Sequence, residues 1–143
     1  MKYILLVVSI ISLSSCDKTT ELPFSIGQTI KNETSSSLKL RYWREKKLVY
    51  SRQIKPNSAI DTLFTTEGLV GFVPIDPNAS IDSVTILIDD KIYLSFKKVF
   101  ATDCTKTKNI FCKEYYEEKI ISESYKSYIY RITMDDLKNA KKI

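Results

Sequence analysis

The sequence predicts an all-β fold, an antiparallel β-sandwich (Ig-like) with a short C-terminal helix, on three observations. Stretches such as SLKLRYWRE and DSVTILI alternate apolar and polar residues, the period of a strand with one buried face. Turn-forming residues separate such stretches: Glu45-Lys46, Lys55-Pro56-Asn57-Ser58, Asp76-Pro77-Asn78 and Asp89-Asp90. Helical periodicity is missing until Thr133. Strands of this length at this spacing, without intervening helices, fold as sandwiches or barrels.

The first segment, residues 1–15, reads as an export signal. Lys2 precedes an apolar run from Tyr3 to Leu13, and the small Ser14 and Ser15 follow. The run falls short of the ~20 residues that cross a bilayer. Leu13-Ser14-Ser15-Cys16 resembles the bacterial lipobox. The resemblance implies that Cys16 is alkylated with diacylglycerol, that the signal is cut before it, and that the new amine is acylated. Several acyl chains hold a protein stably where a single one holds marginally. The expected location is a bacterial membrane, with the protein lipid-anchored on the periplasmic or cell-surface side. The chain then divides into a signal peptide (1–15), a tether (16–25) and a sandwich domain (26–143). The tether has no periodicity and reaches at most roughly 30 Å.

Each strand has its own pattern. In SLKLRYWRE, Leu38, Leu40 and Tyr42 share one face, and Lys39, Arg41 and Trp43 the other. Glu45-Lys46 turns the chain into KLVYSRQI, where Leu48, Tyr50 and Ile54 are expected on one face. AIDTLF is a short strand after Pro56-Asn57, and the nearly all-apolar GLVGFVPI reads as a central strand. Val84, Ile86 and Ile88 point inward, Asp89-Asp90 turns the chain, and Ile92, Leu94 and Phe96 return. SYKSYIYRIT carries Tyr128, Tyr130 and Ile132 on one face. Thr133-Met134-Asp135-Asp136 resembles a capping box, and Met134, Leu137 and Ala140 or Lys141 continue at helical spacing.

Composition narrows the function. The 143 residues carry a formal charge of +5, which falls by one when Lys2 leaves with the signal. The basic residues are scattered and interleaved with acids, whereas a nucleic-acid protein concentrates them on one face or element. Nucleic acid is therefore not an expected partner. The chain has no histidine, so a Ser-His-Asp or Cys-His nucleophile cannot be assembled. The carboxylate pairs Asp89-Asp90, Glu117-Glu118 and Asp135-Asp136 fall in expected turns or caps, and their spacing fits neither a glycosidase nor an EF-hand. No catalytic residue, cofactor or metal is expected, and the protein is read as a non-enzyme. With Cys16 reserved for lipid, Cys104 and Cys112 remain; an exported domain meets an oxidising compartment, which favours a disulfide over free thiols. A metal pair lacks further ligands.

The segments IKNETSSSLKLRYW, IKPNSAI, IDSVTILIDDK, NIF and YRITMDDLKNA, taken in order, resemble small uncharacterised lipoproteins of the Bacteroidota. The resemblance covers most of the mature chain. It implies the fold and the address, and carries no activity. Asp61-Thr62-Leu63 and Asp82-Ser83-Val84 resemble the O-glycosylation acceptor pattern of exported proteins in that group, with Thr62 and Ser83 as the acceptors. Asn32-Glu33-Thr34 and Asn78-Ala79-Ser80 match the N-glycosylation sequon, which a bacterial lipoprotein would not normally use.

Candidate contact residues are Trp43 and Arg41, since an exposed Trp beside an Arg is the residue pair that dominates interface energetics. A one-residue register slip would place Trp43 in the core instead. The expected function is a lipid-anchored protein-interaction module that meets an envelope protein. The alternatives are a glycan-binding lipoprotein using Trp43, Tyr42, Tyr115 and Tyr116, and a structural envelope protein.

Overall fold

Two sheets pack face to face around one core of aromatic and branched aliphatic side chains. The structure, a computed structural model, describes residues 23–66, 80–99, 104, 107–138 and 140–142. The strands are β1 (Phe24–Asn32), β2 (Leu38–Arg44), β3 (Lys47–Ile54), β4 (Ala59–Thr66), β5 (Ser83–Ile88), β6 (Ile92–Lys97), β7 (Tyr116–Ser122), β8 (Tyr125–Ile132) and β9 (Lys141–Lys142). The helix α1 (Met134–Leu137) separates the last two. One sheet has the order β4-β1-β8-β7 and the other β3-β2-β5-β6-β9. The predicted sandwich is the fold. Cys16, the segment read as a signal peptide and most of the segment read as a tether lie outside the described residues, as do GLVGFVPI and the turn after it. Phe24 is buried, so the first strand begins inside the segment read as the tether.

Alternation buries the residues that it predicts. Leu38, Leu40 and Tyr42 from β2, Val84, Ile86 and Ile88 from β5, and Tyr128, Tyr130 and Ile132 from β8 all lie in the core. Both two-residue turn signals hold positive φ at their central residues, Glu45-Lys46 and Asp89-Asp90, as hairpin twist requires. At Gly27 of β1 the Tyr125 hydroxyl would stand 2.7 Å from an added Cβ, so the ring can lie across the strand only where there is no side chain.

Four features differ from the expectation. A bulge interrupts the β2–β3 ladder: Tyr42 faces Tyr50, but Trp43 faces Leu48, with Val49 as the extra residue. The bulge moves Leu48 to the outer face, 50% exposed, away from Tyr50 and Ile54. The β1–β8 pairing is parallel, while the other strand pairs of the described residues are antiparallel. YEEKIIS forms an edge strand, β7, which buries Tyr116 and exposes the rest. The terminal helix stops at Leu137, and Lys141 instead pairs with Tyr93 as part of β9, covering the start of the β6 edge.

Chain direction defines two ends. The β1–β2 connection, the Asp89-Asp90 turn and the Pro56-Asn57 turn meet at one of them, joined by Asn32 N–H to Ser58 O (2.8 Å) and Asp89 N–H to Ser37 O (3.1 Å). The opposite end holds the start of β1, the Glu45-Lys46 turn, Asp82 and Lys98, and the β7–β8 turn, where Ser25 N–H donates to Ser124 O (2.8 Å). The chain before Phe24 therefore joins the domain at this second end.

Candidate interaction surface

The outer face of the five-stranded sheet carries the candidate residues. Register places Leu48, Trp43, Ser83 and Lys97 in one row across the sheet, and Ser51, Arg41, Thr85 and Ser95 in the next. Trp43 is thus on the face opposite Leu40 and Tyr42, half-buried at the surface. It walls an open groove of about 590 Å³ with Lys46, Asp82, Ser83, Lys97 and Lys98. Its indole Nε1 is buried and has no hydrogen-bond partner among the described residues. An indole N–H buried without a partner is a cost to the fold.

The two sheets treat charge differently. On the four-stranded sheet, Glu33 pairs with Lys31 (2.9 Å) and Arg131, and Arg131 pairs in turn with Glu117 (2.6 Å). Lys113 (2.9 Å) and Lys126 (3.5 Å) flank Glu118. The Lys31 and Arg131 cations hold the Glu33 carboxyl below the ordinary range, and Arg131 does the same to Glu117. On the five-stranded sheet Lys39, Arg41, Arg44, Lys46, Lys97 and Lys98 form no ion pair among the described residues. Two acids share the groove with the lysines: Glu45 lines it, and the Asp82 carboxylate accepts the Ser83 hydroxyl (2.7 Å) and the Glu45 backbone N–H, which lower its pKa and keep it ionised.

The other singled-out residues serve the framework. Cys104 and Cys112 form a disulfide, with Cα atoms 5.5 Å apart and both residues buried. The one group of three potential metal donors among the described residues is Cys104, Cys112 and Glu114, and its two sulfurs are bonded to each other. Beneath this loop Gln28 donates to the Tyr116 hydroxyl (3.0 Å), which donates to Ile110 O (2.7 Å). Thr62 accepts from Arg52 Nη1 (3.0 Å), bridging the edges of the two sheets, and Ser83 opens β5. Asp136 accepts from the Thr133 N–H (2.8 Å) and from Lys108 (2.7 Å), so the acidic pair at α1 is a cap. Tyr42 and Tyr116 are core residues, which removes them from any aromatic platform.

Sequence reasoning missed Asn32. Its side chain is fully buried; Nδ2 donates to Ser36 O (2.8 Å), Lys55 O (3.0 Å) and Ile54 O (3.3 Å), and Oδ1 accepts the Thr34 N–H (3.0 Å) and hydroxyl (2.7 Å). The Asn-x-Thr string is a clamp on the β1–β2 connection; the readable signal was an Asx turn at a strand end. No helix of the described residues is long and apolar enough to cross a membrane. No family model, curated protein or solved structure matches the chain.

Proposed function

We propose that the chain is a lipid-anchored protein of a bacterial cell envelope whose sandwich is an interaction module, with the Trp43–Arg41 face as its contact surface. The address rests on Lys2, the short apolar run and Leu13-Ser14-Ser15-Cys16. The interaction reading rests on one observation: Trp43 shares an outer sheet face with Lys39 and Arg41, which form no ion pair among the described residues. Aromatic and Arg anchors of this kind are enriched where proteins meet. The partner is an envelope protein presenting acidic groups, which the face complements. A glycan platform is less supported, because only Trp43 and Tyr115 of its four aromatics are outside the core, and Trp43 is on β2 of one sheet while Tyr115 ends the 3-10 turn that leads into β7 of the other.

Cys16→Ala is expected to abolish fatty-acid labelling in cells and to release the domain from membranes. Absence of label on the wild-type protein would remove the anchor from this reading. Cross-linking from position 41 in cells, compared between wild type and Trp43→Ala, tests the face. Loss of the adduct in the variant supports the contact, and an unchanged adduct refutes the role of Trp43.

A further inference from the structure

Large apolar side chains left at the surface are not scattered over this domain. Leu48 and Val49 open β3 beside the Glu45-Lys46 turn, Val99 follows β6, and Ile120 and Ile121 approach the β7–β8 turn, 71% and 57% exposed. Leu63 lies toward the last residues of β4, opposite Gly27. All of these belong to the half of the sandwich where β1 begins; among the described residues, the one such side chain at the far end is Met134. Arg44, Lys46, Lys97 and Lys98 rim the same end without ion pairs among the described residues. Trp43 sits at its edge.

This end is also where the tether attaches. Cys16 to Phe24 is eight residue steps, which span at most about 30 Å. A domain anchored through Cys16 would therefore keep this end, and not the Asn32 end, within reach of the headgroups. Exposed aliphatics with a cationic rim and a Trp at the boundary are the composition that enters a bilayer interface. Each Lys or Arg near an anionic leaflet adds attraction that decays within a Debye length.

We propose that the tether-bearing end of the sandwich docks on anionic lipid headgroups of the membrane that anchors it, through Leu48, Val49, Ile120 and Ile121 and the cations Arg44, Lys46 and Lys98. The proposal rests on the anchor reading above. Docking of this kind stands the domain upright, with the Arg41 and Lys39 rows of the outer face raised from the lipid and open to a protein partner.

The test uses the full chain as cells process it, reconstituted on vesicles of phosphatidylcholine alone or mixed with phosphatidylglycerol. Trp43 is the single tryptophan and reports on this end. On the mixed vesicles its emission is expected to shift to shorter wavelength and its acrylamide quenching to fall, and high salt is expected to reverse both. Reversing three cations in Arg44→Glu/Lys46→Glu/Lys98→Glu lowers the docking equilibrium by more than about a hundredfold and removes the shift. Flotation with phosphatidylcholine alone reads the anchor separately. A protein that floats with both vesicles but shows one Trp43 spectrum overturns the docking and leaves the anchor. Failure to float with phosphatidylcholine overturns the anchor, and the Trp43 shift on anionic vesicles then still decides the docking. A shift produced by soluble polyglutamate and not by anionic vesicles assigns the end to an acidic protein and overturns the lipid proposal.

Discussion

At one end of the sandwich a buried Asn32 satisfies every polar group it meets and joins the β1–β2 connection to the turn after β3. At the other end Leu48, Ile120 and Ile121 stand in solvent, and among the described residues Arg44, Lys46, Lys97 and Lys98 form no ion pair and the Trp43 N–H has no partner. The outer faces repeat the contrast, with a linked ion-pair network on one sheet and, on the other, cations that form no ion pair among the described residues. Polar satisfaction marks the parts of the molecule that hold the fold. Its absence marks the surface proposed above for contact.

The largest effect is expected at the closed end. Asn32→Ala leaves buried carbonyls and Thr34 without their partner and should cost roughly 3 kcal/mol in denaturant unfolding. A loss below about 1 kcal/mol would mean that the clamp is not what closes this end. The disulfide comes next. Removing it in Cys104→Ala/Cys112→Ala should cost about 2.5 kcal/mol from loop closure alone. Protein purified without reductant should offer neither of these thiols to alkylation under denaturing conditions.

Trp43→Ala should cost at most about 1.5 kcal/mol, below the ~3–5 kcal/mol of a fully buried large aromatic. Its ring is only partly buried, and truncation removes a buried donor that has no partner among the described residues. A loss of several kcal/mol would turn Trp43 into a framework residue and erase the contrast between the ends. The smallest effect concerns the paired sheet. Glu33 and Glu117 have folded pKa values held below normal by their cations. Their contribution to stability is therefore present above the ordinary carboxylate pKa and is lost as pH falls through the depressed values. The difference in urea midpoint between wild type and Arg131→Ala should shrink as pH is lowered below about 4. A difference that stays constant with pH would refute the network.

What could be read from the sequence follows the same division. Strands with one buried face announce themselves, so β2, β5 and β8 and the turns at Glu45-Lys46 and Asp89-Asp90 were legible. Edge strands with no buried row do not: in β7 Tyr116 alone turns inward, and Glu117-Glu118-Lys119 reads as a loop. Alternation also carries no information on partners, so the parallel match of β1 to a strand a hundred residues later was hidden. One extra residue at Val49 reversed Leu48, because a period of two tolerates no insertion. The Trp43 face was legible from alternation. The gathering of exposed aliphatics at the end where β1 begins was not, since those residues come from three strands and the segment after β6.

The parallel pairing of β1 with β8 has a mechanical consequence. β1 lies between β4 and β8, bonded along both sides from its first residue. Tension between the start of β1 and the far end of β8 pulls these two strands past each other, so the ladder is loaded in shear and its bonds share the force. A hairpin pulled from its open end would instead yield one bond at a time. Stretching the molecule between its termini should detach β9 and α1 at low force and then meet one high barrier, the β1–β8 ladder; a smooth rise with no such barrier would contradict the shear geometry.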